Sequence, residues 1–375
     1  MKKYLTLDDV DVSGLRVLVR SDLNVPLEEG GVGDDFRIRA ALPTLERLVE
    51  AGAAVTVCSH LGRPKGVDPA LSLEPVAKRM DELTDLDVRF DAAGDITVLE
   101  NTRFLDGETS NDEATAEELA DDFELFVQDA FGSVHRAHAS TVGVAEIVRS
   151  VAGPLLDAEL TALGRLLTDT ERPYTVVLGG AKVSDKLGVI ENLLPRVDRM
   201  LIGGGMCFTF LAAQGLRVGD SLVEESMLDE VRPFVDDERL TLPTDIVIAD
   251  SFSEDSEHRV ATVDEIEEGW IGLDIGPNTA NEFALHVRRS ASVFWNGPMG
   301  VFEWEAYRWG TEAVAQAIGD CEGFTAVGGG DSAAALRLLG LEDTVSHLST
   351  GGGAGLELLE GKILPGVAVL ERWVG

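Results

Sequence analysis

The sequence predicts an α/β protein made of two doubly wound parallel-sheet, Rossmann-like domains facing each other across a hinge cleft. Three observations carry this. Short apolar, β-branched runs alternate with amphipathic helical stretches along the whole chain. The residues that follow those runs change midway from charged side chains to bare glycine. A break at Val151-Ala152-Gly153-Pro154 separates the two halves, giving a first domain over 1–152 and a second over 153–355.

In the first half the strand candidates are Val17 to Arg20, Ala54 to Cys58, Thr97 to Leu99 and Leu125 to Gln128. In the second they are Thr175 to Leu178, Met200 to Ile202, Ile246 to Ala249, Ser292 to Trp295, Thr325 to Val327 and Val345 to Leu348. Helical periodicity runs over Arg39 to Ala51, Glu113 to Asp121, Leu156 to Thr168 and Ser332 to Leu339. Open parallel sheets bind ligands beyond the carboxyl ends of their strands. There the first half offers Asp22, Asn24, His60, Arg63, Asn101, Arg103, Asp129, His135, Arg136 and His138. The second offers Gly179-Gly180, Gly203-Gly204-Gly205, Asn296-Gly297-Pro298, Gly328-Gly329-Gly330 and Gly351-Gly352-Gly353. Cationic side chains suit a small, highly anionic substrate. Bare backbone suits close approach of a nucleotide.

The chain has 375 residues, 67 acidic against 31 basic, and a formal net charge of −36. The acid is spread along the chain, which argues against an acidic tail or a nucleic-acid mimic, and 45% hydrophobic composition argues against disorder. No apolar run is long enough for a membrane span. Cys58, Cys207 and Cys321 form neither a disulfide framework nor a zinc pattern. A soluble cytoplasmic protein with no nucleic-acid or membrane partner is expected. The charge resembles that of proteins from salt-loving microbes, in which molar salt screens self-repulsion.

Two of the seven lysines lie in Gly179-Gly180-Ala181-Lys182-Val183-Ser184-Asp185-Lys186, directly after an apolar run. A glycine turn opening a helix would put Lys182 and Lys186 on one face of its first turns. Cations there oppose the helix dipole at a cost of about 0.3–1 kcal/mol each, and a bound phosphate reverses that sign. The expectation is therefore a phosphate site rather than a solvated basic patch. Gly328-Gly329-Gly330-Asp331-Ser332 reads as a second phosphate cradle, with Asp331 either capping the helix or facing a metal-bound nucleotide. Its formal match to a dinucleotide fingerprint comes too late in the chain. No Walker A pattern, catalytic triad or paired-carboxylate arrangement is present. Positioning plus charge neutralisation, the requirements of phosphoryl transfer, are what these residues supply.

Taken together, the segments closely resemble phosphoglycerate kinase over nearly the whole chain. They are Arg20 to Pro26, Arg37 to Thr44, Ser59 to Pro64, Glu100 to Phe104, Asp129 to His138, Gly179 to Lys186, Asp274 to Pro277, Trp295 to Glu303, Gly328 to Ser332 and Ser349 to Gly353. The resemblance implies reversible phosphoryl transfer between 1,3-bisphosphoglycerate and MgADP, giving 3-phosphoglycerate and MgATP, by direct in-line transfer in a monomer. It implies that Asp22, Leu23, Asn24, Arg37, His60, Leu61, Gly62, Arg63, Arg103 and Arg136 hold the phosphoglycerate. Gly180, Ala181, Lys182, Lys186, Gly276, Asn296, Glu303, Gly329, Gly330, Asp331 and Ser332 would hold the nucleotide, with Asp331 on Mg²⁺ and Glu303 at the ribose. Arg37, Lys182 and Gly330 would act on the moving group. Residues 356–375 would return to the first domain, and the acidic composition would point to a salt-loving archaeal source. Leu23, Ser332 and Gly355 depart from the residues common in the family. The rival reading is a non-catalytic nucleotide- or sugar-phosphate-binding regulator on the same fold.

Overall fold

The computed structural model describes residues 3–28 and 31–374. It divides into two compact units. Unit 1 holds the first part of the chain through Thr161 together with Ile363 onward, and unit 2 holds Ala162–Lys362.

Unit 1 is built on a six-stranded sheet in the order Val88–Phe90, Ile96–Val98, Ala54–Cys58, Arg16–Arg20, Leu125–Gln128 and Ser150–Ala152, all parallel. The central strands have almost no exposed side chain, as a sheet covered on both faces requires. Val17, Val19, Val55, Val57 and Val127 pack with Ile38, Leu42 and Leu45 of the helix Phe36–Glu50 in one apolar core. The two edge strands, Val88–Phe90 and Ser150–Ala152, have no counterpart in the predicted strand list. Val88–Phe90 has an exposed arginine at its centre, and Ser150–Ala152 overlaps the stretch read as the domain break.

Unit 2 repeats the plan with Leu240–Thr241, Arg199–Ile202, Tyr174–Leu178, Ser292–Asn296, Phe324–Gly328 and His347–Leu348, again all parallel. One predicted strand lies elsewhere. Asp245–Ala249 is the centre of a separate antiparallel sheet between His258–Thr262 and Ile271–Ile275. The turn after it is tight, with the Asp250 amide bonded to the Glu257 carbonyl. A parallel neighbour would need a crossover of a dozen residues or more.

The unit boundaries also differ from the sequence expectation. The break expected at 152/153 is followed without interruption by the helix Pro154–Thr168, and the first unit extends to Thr161 within it. The break expected at 355/356 falls inside the helix Gly353–Leu359. Its Leu359 carbonyl accepts Asn192 Nδ2 at 2.7 Å, so residues 356–362 belong to unit 2. From Ile363 onward the chain is part of unit 1, where the Gly366 amide bonds the Val134 carbonyl and Trp373 Nε1 the Ala145 carbonyl at 2.8 Å each. No helix among the described residues is long and apolar enough to cross a membrane.

The start of the helix Pro154–Thr168 is held by a residue distant in sequence. Asp129 Oδ1 accepts the Leu155 and Leu156 amides at 2.8 and 3.1 Å, and Oδ2 accepts the Thr44 hydroxyl at 2.6 Å. Burial pushes this carboxyl up to about 6, against the pull of those three donors. Asp129→Ala would strand two helix-terminal amides and a buried hydroxyl. We expect it to lower stability by about 2 kcal/mol, read as a lower urea midpoint. Asp129→Asn, which keeps an acceptor, should lose less. A wild-type midpoint in the alanine variant would refute the capping role.

Candidate functional site

Each unit gathers its polar chemistry at the carboxyl ends of its parallel strands. In unit 1 the central strand ends in Arg20, which is only 1% exposed. Around it stand His60 after Ala54–Cys58, Arg103 after Ile96–Val98, and Arg136 and His138 after Leu125–Gln128. Burial first, and then the neighbouring Arg136 and Arg20 guanidiniums, depress Arg103 to about 10. His60 is likewise held well below the usual imidazole range, by burial first and then by Arg20, Arg103, Arg136 and His138. Such a crowd of like charges is unfavourable until an anion enters it. Arg103 Nε is buried without a hydrogen-bond partner, while its Nη1 donates to the Gly62 carbonyl.

The rest of the predicted set shapes this mouth. Arg37 pairs with Asp22 at 2.6 Å, so the guanidinium is held by a carboxylate that is itself nearly buried. Asn24 Oδ1 accepts the Gly62 amide at 2.8 Å and Asn101 Oδ1 the Leu61 amide at 3.2 Å. The Leu23 amide donates to Ser59 Oγ at 2.9 Å. The backbone donors of Leu23, Leu61 and Gly62 are therefore already used internally. Arg63 is exposed.

In unit 2 the predicted glycine turns come together. Gly179, Gly180, Ala181, Lys182, Asp185, Lys186, Asn296, Gly297, Gly329, Gly330, Asp331, Ser332, Gly352 and Leu356 line one pocket. The Gly180 amide donates to the Pro298 carbonyl at 2.8 Å, the Gly179 amide to the Asn296 carbonyl at 2.9 Å, and the Gly297 amide to Ser332 Oγ at 2.7 Å. At Gly297, with φ +93°, a Cβ would come within 2.4 Å of the Gly179 carbonyl oxygen. Only glycine permits that approach. Asn296 braces two loops at once, accepting from Lys186 Nζ and donating Nδ2 to the Gly328 carbonyl at 2.8 Å.

The lysines do not sit on a helix face. Residues 181–186 form a loop, and the helix Leu187–Leu193 begins only after Lys186. The Glu224 carboxylate holds that loop open, accepting the Ser184 hydroxyl at 2.7 Å and the Ser184 amide at 3.1 Å. Lys182 is exposed in the pocket lining with no ion pair among the described residues. Burial lowers the Lys186 ammonium, and the nearby Asp185 and Asp331 carboxylates partly offset it.

Asp331 lies in the first turn of Gly330–Leu339, where Gly329 takes the cap position and no side chain caps the helix. Its exposed carboxylate is thus available to a ligand. No group of three or more His, Cys, Asp or Glu side chains among the described residues would hold a metal ion unaided. One free carboxylate beside amides and lysines fits a hard cation that arrives with phosphate oxygens, as Mg²⁺ does. Gly276 and Glu303 lie outside this lining, Gly276 capping the helix Pro277–Arg288 and Glu303 exposed. Sequence reasoning singled out neither Asp185 nor Leu356 in the pocket, nor Arg20, Glu108 and Glu224 beneath the two sites, while Gly352 belongs to one of the glycine turns it named. The three carboxylates among them carry no signal that separates them from the other acids of this chain.

Comparisons with known proteins point to one family. A family profile described as Phosphoglycerate kinase matches residues 7–362. The chain is 53% identical over 381 residues to a curated phosphoglycerate kinase of Rubrobacter xylanophilus, covering 97% of each. It is 54% identical over 394 residues to that of Salinispora tropica, covering 98% of this chain and 99% of the relative. The solved phosphoglycerate kinase of Coxiella burnetii superposes with a TM-score of 0.90 at 40% identity, over 99% of this chain and 100% of that one. These relatives are bacterial and lend no support to the archaeal source expected from composition.

At Gly329, also at φ +93°, a Cβ would lie 2.9 Å from Asn296 Nδ2. Gly329→Ala should therefore weaken pyrophosphate binding by at least about tenfold in calorimetric titration. Unaltered affinity would remove this turn from the phosphate site.

Proposed function

The chain belongs to the phosphoglycerate kinase family, and from that premise we propose how its own residues carry the reaction. It is a phosphotransferase with a carboxyl group as acceptor, moving a phosphoryl group reversibly between 1,3-bisphosphoglycerate and ADP to give 3-phosphoglycerate and ATP. The observation that carries the division of labour is the presence in one chain of two unlike anion sites. One is a cationic mouth built of side chains, and the other is a lysine and glycine cradle built largely of backbone.

On this reading Arg63, Arg103, Arg136 and His60 hold the phosphoglycerate, with Asp22 and Asn24 orienting Arg37 and the loop at Gly62. The amides of Gly329 and Gly330 and the Lys186 ammonium hold the nucleotide phosphates. Mg²⁺, held by Asp331, supplies further neutralisation of those phosphates when bound. A terminal oxygen of ADP attacks the acyl phosphorus, and the bond to the carboxylate oxygen breaks. The leaving group departs as a carboxylate ion, so no general acid is required. The reaction therefore calls for cations, not proton donors, around the moving group. The exposed Lys182 meets its equatorial oxygens as charge spreads over them.

The test is a coupled assay of ATP-dependent phosphorylation of 3-phosphoglycerate with Mg²⁺. Lys182→Ala should reduce kcat on the order of 100-fold to 1000-fold while the KM for ATP moves far less. A variant with wild-type kcat would refute the role given to Lys182.

We also read the charge of −36 as an adaptation to salt. In molar KCl the Debye length falls to about 3 Å, and repulsion among surface carboxylates is screened. The melting temperature should rise from dilute buffer to molar KCl, and equal values at both would end this reading.

A further inference from the structure

We propose that Arg20 and Glu108 form a buried positioning pair that fixes His60 as a neutral ring protonated at Nε2, so that His60 meets the phosphoglycerate anion as a directed hydrogen-bond donor. This deepens, and rests on, the assignment of the unit 1 mouth to phosphoglycerate.

Every donor of the Arg20 guanidinium is placed. Nε donates to Ser140 Oγ at 3.0 Å and Nη1 to the Ser21 carbonyl and to Ser59 Oγ, the latter at 3.3 Å. Nη2 lies 2.9 Å from His60 Nδ1 and 3.5 Å from Ser133 Oγ. Arginine has donors only, so His60 Nδ1 is the acceptor and the single proton of the neutral ring is on Nε2. A proton on Nδ1 would break that bond and set an imidazolium against a guanidinium.

The charged groups facing the ring all act in the same direction. Arg20 comes from the central strand, Arg103 from the turn after Ile96–Val98, and Arg136 and His138 from the turn after Leu125–Gln128. Each opposes protonation, and burial of the ring adds to it. The one carboxylate nearby, Glu108, approaches His138 Nδ1 at 3.7 Å rather than His60.

Glu108 is fully buried. It accepts the Ser140 hydroxyl at 2.6 Å, the Ser140 amide at 2.9 Å and the Thr102 hydroxyl at 3.2 Å. Ser140 Oγ thus donates to Glu108 and accepts from Arg20, so the buried cation is balanced through one hydroxyl. A buried charge left without that balance is strongly destabilising. Neither Arg20 nor Glu108 reaches the mouth, which makes them positioning residues. Among the described residues His60 Nε2 has no hydrogen-bond partner and is not among the buried, unbonded atoms, so it is the edge of the ring open to a ligand.

The test uses the full chain labelled with ¹⁵N-histidine, with the His60 signals among the six histidines assigned by their loss in His60→Gln. Long-range ¹H–¹⁵N correlation should give the pattern of a neutral Nε2–H ring, unchanged between about pH 5 and 8, where free imidazole titrates. An Nδ1–H pattern, or titration in that window, would overturn the proposal whether or not the Arg20 and Glu108 variants fold. In the double variant Arg20→Met, Glu108→Gln, which removes both charges together, His60 should lose its fixed tautomer. Its KM for 3-phosphoglycerate should rise about tenfold, the worth of one hydrogen bond, with kcat and the KM for ATP little changed. A fixed tautomer in that variant would also overturn it. Kinase activity of the wild type is scored separately: an inactive protein with the expected spectrum would sink the functional reading while leaving the tautomer assignment in place.

Discussion

Charge removed from water has to be met by dipoles or by opposite charge inside the protein, and both units are organised around that constraint. In unit 1 the Arg20 guanidinium occupies the end of the central strand, where the sheet leaves it almost no solvent, and its donors go to hydroxyls, a carbonyl and one imidazole. In unit 2 the corresponding region carries almost no fixed side-chain charge apart from Lys182, Lys186, Asp185 and Asp331. The glycine turns there bond to one another through the Asn296, Pro298 and Ser332 contacts. The two solutions suit different ligands. Preset cations suit a small acyl phosphate carrying its own dense charge. Backbone held at close quarters suits a nucleotide whose phosphates bring a cation with them.

The same constraint explains where carboxylates appear in the interior. Asp245 accepts the Asn278 and Thr279 amides and the Thr279 hydroxyl, at 3.0, 2.8 and 2.6 Å, at the start of the helix Pro277–Arg288. Asp274 accepts the Ile275 and Gly310 amides, and burial raises its carboxyl well above the usual range. Asp129 does comparable work for Pro154–Thr168. Each sits where helix or turn amides lack partners of their own, so the cost of burial is set against donors that would otherwise be unsatisfied. The acids of the surface, by contrast, outnumber the cations available to pair with them, 67 against 31 in the chain.

Much of this was legible from residue type and place. Glycine announces itself because positive φ and close backbone approach exclude other residues, and Gly180, Gly297 and Gly329 all take φ above +90°. His60, Arg103 and Arg136 stood out because cations directly after apolar runs are rare in so acidic a chain. Arg20 did not, because it closes an apolar run and reads as part of the strand. Glu108 and Glu224 were indistinguishable from the other acids until the fold brought them against Ser140 and Ser184. The spacing of Lys182 and Lys186 pointed to a helix face, yet a carboxylate forty residues along the chain holds Ser184 and keeps the segment a loop. Local periodicity carries no information about that partner.

The loop conformation has a chemical consequence that a helix would not supply. On a helix, Lys182 and Lys186 would share one face and one environment. In the loop they separate: Lys186 is half-buried, its ammonium on Asn296 and its affinity for protons reduced, whereas Lys182 is exposed. A half-buried ammonium bound to an amide oxygen has little freedom to move. An exposed one on a flexible stem can follow a group as it moves. The sequence spacing is that of a matched pair, but the fold makes the two lysines unequal, which is what a reaction with one stationary polyphosphate and one travelling phosphoryl group requires.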